Sequence, residues 1–456
     1  MRGRRYVLLG LLLAALTIIM LTDNPRRSQF RALLSTLFGS RPGGAPTTGG
    51  DPGPGPPGAP PTPKYLPEPT WTPPPVKDPF PFLATAAKPP PIPAWNVPKK
   101  DLHVAYGLDY APPLLIGFTR SWPILLQAVV SYITAGWPAD QIYVVENTGV
   151  QRANLEGRLT LQNPFYLNHA QLAKLGVHVV RSPVLMSFAQ LQNFYVHLAH
   201  EHGWRYYFWS HQDVLALSFE GGNDDVMTGP WDEEGYKTLY ELCLAELRRA
   251  VDSGERWADR FFAYDHLTLV NREAYDEVGG WDTFIPYYIT DCDMHSRLLM
   301  HNWTQRDAKA GIITDVSTAL DDLLALYRDP TLEPSFTDPN PPAPPNMDRT
   351  DRRRRRKRVD GEAPELVYWY QLQQTADHMW HYKHGERGRN TWQLGQKGGQ
   401  GEPFYYDARG LAVAIDVLTE AGREVFRRKW GHKDCDLIAG AGLKLEDQWL
   451  VEQDWV

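Results

Sequence analysis

Two acidic residues stand where a chain of alternating strands and helices puts its working groups. Glu146 closes the apolar run IYVVE, and Asp213 follows the aromatic run WRYYFW by a few residues. Ligands of parallel sheets sit at the carboxyl ends of strands, which directs both carboxylates at one crevice. His211 precedes Asp213 by two residues, so on extended chain it points the same way and can share what Asp213 holds. Asp291 and Asp293 open a helix read over 291–301, where free N–H groups favour carboxylates. Two helical steps turn the side chain by roughly 200°, so only one of the two can face a substrate. His378, His381 and His384 recur at spacings of three, the first two on one face and the third about 60° further round. No cysteine accompanies them, and Lys383, Arg387 and Arg389 add positive charge, so a polar patch is read there rather than a zinc site. Asp224 and Asp225 form a further acidic pair behind Gly221-Gly222-Asn223, a flexible turn and a secondary candidate for a metal.

The elements that must position these residues follow from the hydrophobic pattern. A strand at 114–119 (LLIGFT), a helix at 123–135 and a strand at 141–146, closed by Asn147-Thr148-Gly149, make a βαβ unit and imply a parallel sheet. A third strand is read at 177–180, a helix at 187–202 and a fourth strand at 204–209. A helix at 233–251 and a strand at 261–270 come next, then the short helix and glycine turn of NREAYDEVGGWD. Regular structure resumes at Val367, and a helix at 408–418 precedes VFRRKWGHKDCD. The fold expected is α/β, a mixed but mainly parallel Rossmann-like sheet with helices on both faces.

The flanks are of another character. Residues 6–22 hold an uncharged run, YVLLGLLLAALTIIML, behind a short basic tail at 1–5. At 1.5 Å per residue such a run spans about 25 Å, and no small-residue cleavage site follows it, so it reads as an uncleaved membrane anchor. Of the 39 prolines, 21 fall between Arg41 and Lys100, and 23–100 reads as an extended stem. Folding is expected from near Trp95, with the folded domain over 101–456 and a Pro- and charge-rich insertion at about 330–365. The net charge of -7 gives no global case for nucleic acid, and the run RRRRRKR at 352–358 is read as an exposed loop. Three cysteines exclude a disulfide-rich scaffold but permit one bridge in an oxidising compartment. Asn302-Trp303-Thr304 is a glycosylation sequon that carries glycan only on a lumenal domain.

Four segments, in order, resemble the family 2 type of glycosyltransferase with its GT-A fold. IYVVENTG resembles the first nucleotide-contacting strand end, with Glu146 in the place of an aspartate; FAQLQN, ending in Asn193, resembles the helix that crosses the nucleotide sugar. YYFWSHQDV resembles the strand that ends in the Asp-x-Asp metal motif, with His211 replacing its first aspartate. The stretch from Leu269 to Leu298 resembles the glycine-glycine-aromatic-aspartate turn and the acidic helix of the catalytic base, with Thr290 replacing an acidic partner. FRRKWG resembles a segment near the end of the same region. The order of anchor, stem and domain resembles single-pass type II proteins of the Golgi membrane, and the loop-rich composition resembles that of filamentous fungal proteins.

The resemblance implies transfer of a sugar from a UDP- or GDP-sugar to a hydroxyl of a glycan, polysaccharide or glycolipid, with inversion. Asp291 is then the general base, and Glu146, Asn193, His211 and Asp213 contact the donor. Gly279, Gly280, Trp281, Asp282 and Asp293 contact sugar or acceptor, the glycines by letting backbone approach the sugar. Asp213 and His211 hold Mn²⁺ or Mg²⁺ against the leaving diphosphate, with one of His378, His381 or His432 as a third ligand. The polar patch read at His378, His381 and His384 is expected near the diphosphate. Two alternatives stay open: a retaining enzyme of the same fold, mannosyltransferase-like, and a membrane-anchored sugar-binding protein without catalysis.

Overall fold

The computed structural model describes residues 63–67, 72, 74–338, 363–385, 393, 396–403 and 407–455. The chain divides into two compact units, 1–68 and 69–456. Of the first, residues 63–67 are described and are exposed; everything below concerns the second. The anchor read over 6–22, the first part of the stem, Arg387, Arg389 and the basic run at 352–358 lie outside the described residues. Among the described residues no helix is long and apolar enough to cross a membrane.

The strands are β1 (Leu114–Phe118), β2 (Ile142–Glu146), β3 (His178–Arg181), β4 (Tyr206–Ser210), β5 (Val214–Leu217), β6 (Gly221–Asn223), β7 (Thr228–Pro230), β8 (Trp257–Phe262), β9 (Leu267–Asn271), β10 (Thr304–Ala308) and β11 (Ile312–Asp315). The helices that matter here are α1 (Trp122–Thr134), α2 (Phe188–Glu201), α3 (Leu239–Asp252), α4 (Arg272–Val278), α5 (Thr290–Met300), α6 (Pro364–His384) and α7 (Ala408–Trp430). Seven strands form one sheet in the order β10-β8-β9-β4-β1-β2-β3. β3, β2, β1 and β4 pair in parallel, β9 runs antiparallel between β4 and β8, and β10 is parallel to β8. A mixed α/β fold with a mainly parallel sheet is what the alternation of elements required.

Side chains on a strand alternate between faces, and the two faces of this sheet fill two cores. Leu114, Ile116, Phe118, Val144 and Phe208 pack with α1 and α3 on one side. Leu115, Val145, Tyr207, Trp209 and Val270 pack with Leu191 and Tyr195 of α2 and Met294 and Leu298 of α5 on the other. Between Ile116 and Phe118, Gly117 lets α2 come close: a Cβ there would lie 2.5 Å from Leu191 and from the Tyr195 hydroxyl.

Local signals set most boundaries. Ser187 and Gln190 form a capping box that starts α2 where SFAQ predicts it. α3 starts at Leu239 rather than Glu233, because Thr238 caps it and Gly235 takes φ +102° just before. The strand expected over 261–270 is two antiparallel strands, β8 and β9, parted by a turn at Tyr264–His266. Ala263 and Tyr264 adopt φ of 56° and 58° there, a left-handed turn that sequence periodicity does not announce. α7 continues past the expected Leu418 to Trp430 and so takes in most of the FRRKWG segment.

The end of the segment read as a stem is part of the fold. Phe80 and Leu83 are fully buried, with Phe80 against Tyr327 and Asn96 bonded to Glu220. Lys174 also donates to the Leu83 and Ala86 carbonyls and the Leu323 amide to that of Pro79, so packing begins by Phe80 and not near Trp95.

Candidate functional site

The sheet order reverses between β1 and β4, since the chain goes from β1 to β2 and β3 on one side and returns to β4 on the other. A crevice opens beyond the carboxyl ends of strands at such a point. A cavity of about 320 Å³ occupies it, reached by Thr119 and Arg120 after β1, Asn147 after β2, and His211 to Asp213 after β4. Tyr264, Asp265 and His266 enter it from the turn between β8 and β9, Asp291 from α5, Asp315 from β11, and Lys383 from α6.

Asp213 and Asp315, far apart in sequence, meet through a two-stranded ladder. β5 starts one residue after Asp213, β11 ends on Asp315, and Asp315 registers with Val214. The Val316 amide donates to the Asp213 carbonyl at 2.8 Å, which holds the two residues side by side. Lys383, 2% exposed, closes this pair: its Nζ lies 2.7 Å from Asp213 Oδ2 and is also bonded to Asp315 Oδ1. His384 Nε2 lies 2.9 Å from Asp315 Oδ2. Burial alone would raise the Asp213 carboxyl, but the Lys383 and His211 charges outweigh it and hold it at about 2. The Lys383 ammonium shifts upward for the same reason: burial opposes its charge and the two carboxylates overcome that.

His211 stands between two carboxylates, with Nε2 3.5 Å from Asp265 Oδ1 and Nδ1 3.8 Å from Asp213 Oδ1. Burial favours the neutral ring, yet Asp265, Asp213 and Asp315 raise its pKa. The Asp265 carboxyl moves down in turn, burial being outweighed by His211. His266 goes the other way, lowered by burial and by the His211 charge. Its two ring nitrogens find no hydrogen-bond partner among the described residues, although it is 9% exposed and lines the cavity. Arg120, 4% exposed, lines the same space with Nη2 3.2 Å from Gln393, and burial pushes its pKa down to about 10.

Asp291 sits in the first turn of α5, and the Tyr264 hydroxyl donates to its Oδ2 at 3.0 Å. The residue before the helix, Ile289, holds φ +69°, an outlier for a β-branched side chain. Strain of that kind persists only where surroundings over-determine it. Behind Asp291 the helix is clamped. Asp293 is fully buried and bonded by Arg297 Nε at 2.8 Å, Lys429 Nζ at 2.7 Å and Trp430 Nε1 at 3.0 Å. Cys292 forms a disulfide with Cys435, the single bridge the cysteine count permits, and Cys243 stays free and buried.

No protein-family model matches the chain. No curated protein matches it either. Among solved structures it is similar to a cytidylyltransferase from Leptospira borgpetersenii serovar Hardjo-bovis, at 10% identity and a TM-score of 0.28 over 44% of this chain and 76% of that one. It is also similar to the mannosyltransferase PcManGT from Pyrobaculum calidifontis, in complex with GDP-Man and Mn²⁺, at 13% identity and a TM-score of 0.28 over 44% of this chain and 56% of that one. At TM-scores this low the likeness decides nothing about activity.

The structure gathers some of the residues singled out from sequence and disperses others. Asp213, His211 and Asp291 share the cavity. Glu146 does not line it: it is fully buried, with its oxygens bonded by Asn154 at 2.7 Å, Thr148 at 3.2 Å and His169 at 3.0 Å, and the cavity takes its neighbour Asn147. Asn193 grips the Trp281 backbone, accepting from its N–H at 2.8 Å and donating to its carbonyl at 2.9 Å. That grip explains Gly280, where a Cβ would lie 2.6 Å from Asn193 Oδ1. Gly279 and Gly280 therefore end α4 and admit Asn193; they line a second cavity with Trp281 and Asp282, not the one at the strand ends. Trp281 is 4% exposed and packs on Phe188 and His295 as a core residue. Asp282 accepts from Lys429 at 2.7 Å, and Asp293 is a clamp residue rather than a sugar contact.

None of the three histidines considered as a third metal ligand lines the cavity that holds Asp213. His378 and His381 are exposed on α6, because the helix turns Lys383 and His384 inward instead. His432 bonds Asp436 and Asp454, and with Asp434 and Asp436 it brings donor atoms within 4.8 Å of one another at the surface. Among the described residues no other three such donors, those around Asp213 included, come that close together. Asp225 pairs with Lys309 at the surface, and Asn302 is exposed at the end of α5. Sequence reading missed Asp315, Asp265, His266 and Arg120. The polar triplet YDH between two apolar runs was the available signal for two of them.

Proposed function

We propose that the protein is a glycosyltransferase that moves a sugar from a UDP- or GDP-sugar to a glycan hydroxyl. The observation that carries this reading is one cavity, at the switch point of a mainly parallel sheet, lined by both the buried cations Arg120 and Lys383 and the carboxylate Asp291. Group transfer of this kind has two demands: stabilisation of the departing diphosphate and removal of the acceptor proton. Arg120, Lys383 and the one N–H of the neutral His266 ring answer the first, as fixed donors lining the cavity. Asp291 answers the second: it takes the acceptor proton as the oxygen attacks the anomeric carbon, with Tyr264 orienting its carboxylate. A base on the acceptor side supports inversion.

Asp213 in this reading positions Lys383 rather than meeting phosphate itself. The residues there do not fit a resident divalent ion, since an ammonium already bridges the two carboxylates, and no step is assigned to one. Residues 6–22 anchor the chain in the Golgi membrane with the catalytic domain lumenal. The Cys292–Cys435 bridge supports an oxidising compartment, and Asn302 is then a glycan site.

The test is a screen of the full chain, in detergent, against UDP- and GDP-sugars for donor hydrolysis and for transfer to oligosaccharide acceptors. Turnover of one donor, with transfer abolished in Asp291→Ala while nucleotide still binds, is the expected result. A folded chain that binds no nucleoside diphosphate and turns over no donor would sink the proposal.

A further inference from the structure

We infer that Lys383 occupies the place a divalent cation would take between Asp213 and Asp315, so that this site binds the donor diphosphate without metal. The inference deepens the glycosyltransferase reading and rests on it for the identity of the ligand, although the claim about the cation does not.

Three observations carry it. First, Asp213 Oδ2 and Asp315 Oδ1 both bond one Nζ, at 2.7 Å in the Asp213 case, so one oxygen of each carboxylate is already engaged by the same cation. Second, Lys383 is 2% exposed and comes from α6, a helix packed on β11. An ion entering between the carboxylates would have to expel the ammonium, and with so little exposure it has no aqueous refuge, so displacement strands a buried charge. Third, cationic side chains already face the carboxylates: Lys383 bonds Asp213 and Asp315, Arg120 lines the same cavity, and His211 is paired with Asp265.

The ammonium is also equipped to meet a ligand. It has three N–H donors, of which two are directed at Asp213 and Asp315, and its remaining donor belongs to a residue that lines the cavity. Beside it His266, 9% exposed, presents ring nitrogens without a hydrogen-bond partner among the described residues. Buried polar atoms are normally satisfied, so the one N–H of the neutral His266 ring, whose Nε2 is 3.7 Å from Asp315 Oδ2 in a residue that lines the cavity, is open to a ligand's acceptor atom. Phosphate oxygens fit both donors.

The decisive measurement is Mn²⁺ uptake by the purified full chain, read from loss of the free-ion EPR signal, in wild type, Asp213→Asn and Lys383→Met. Asp434→Ala removes the surface cluster from the count. Wild type should take up no Mn²⁺ that Asp213→Asn abolishes, and Lys383→Met should gain a site at least tenfold tighter, lost again when Asp213→Asn is added. One Mn²⁺ bound by wild type through Asp213 would overturn the inference, and that comparison holds even where Lys383→Met fails to fold. A second arm measures UDP and GDP affinity by calorimetry in EDTA and in Mn²⁺. The two values should agree within twofold in wild type; tightening of tenfold or more by Mn²⁺ would overturn the assignment. Absence of nucleotide binding under both conditions would count against the glycosyltransferase reading, with the Mn²⁺ titration still deciding the role of Lys383.

Discussion

Lys383 Nζ lies 2.7 Å from Asp213 Oδ2, although 170 residues separate the two in the chain. The contact exists because β11 sets Asp315 beside Asp213 and α6 packs on β11, so that the last turn of α6 meets both carboxylates. A helix end and a strand end of unrelated sequence thereby form an ion-paired floor of the cavity.

Asp291 should be dispensable for binding and needed for transfer. Asp291→Asn keeps the Tyr264 contact and removes the proton acceptor, so transfer should fall by about 10²–10⁴-fold. Nucleotide affinity by calorimetry should change less than threefold. Equal loss of both would mean that Asp291 holds the donor and is not the base.

The two glycines after α4 should differ. Gly279 has φ +80° and open space around its Cβ position, whereas Gly280 has φ +73° and Asn193 Oδ1 at 2.6 Å. Gly279→Ala should destabilise by about 1–2 kcal/mol, the left-handed penalty alone. Gly280→Ala adds a clash and should exceed it by about 1–3 kcal/mol. Urea unfolding of the two variants checks the order; a Gly279 variant as damaged as the Gly280 one would refute the role given to Asn193.

Asp259 is a buried acid on β8 that the cavity does not use. Burial raises its carboxyl from 3.8 to about 7, against the opposing hydrogen bond from Tyr275 at 2.8 Å and the Arg260 charge. The folded chain therefore keeps this proton over a pH range where the unfolded chain has lost it. Folding is favoured by the bound proton, so stability falls as pH rises from about 4 to about 7, by at most about 1.4 kcal/mol per unit. Asp259→Asn removes this slope. Between pH 5 and 7 the stability of wild type relative to the variant should drop by about 2 kcal/mol in denaturant titrations; parallel curves would show that Asp259 is ionised throughout.

The clamp behind Asp291 should matter for stability and for Asp291 together. Lys429 holds Asp282 and Asp293, each at 2.7 Å, and Asp293 is fully buried. Lys429→Met leaves Asp293 short of a counter-charge and should lower stability by about 3 kcal/mol. Reducing Cys292–Cys435, which links residues 143 apart, should lower it by about 2–4 kcal/mol. Thermal unfolding with and without reductant measures the second effect, and no shift would show that the bridge does not form in solution.

By itself the sequence determined the alternation of β1, α1, β2, β3, α2 and β4, because hydrophobic period acts over a few residues; it read β8 and β9 as one strand and started α3 six residues early, where a turn and a cap decide. It also placed Asp213, His211 and Asp291 at strand and helix ends, where the chain rule for parallel sheets aims them at one crevice. It could not separate residues that face the crevice from those that face their neighbours. Glu146 and Asn193 occupy the right elements, yet each is consumed by a local hydrogen-bond set, and Asp293 points away from Asp291 into a buried clamp. Nor could it foresee that α6 would turn Lys383 inward and His378 and His381 outward, since a helix with apolar and polar residues on several faces has no rotation until it packs. The pairing of Asp213 with Asp315 depends on β5 meeting β11 across about a hundred residues. Only tertiary packing makes that contact, because nothing local in either segment encodes its partner.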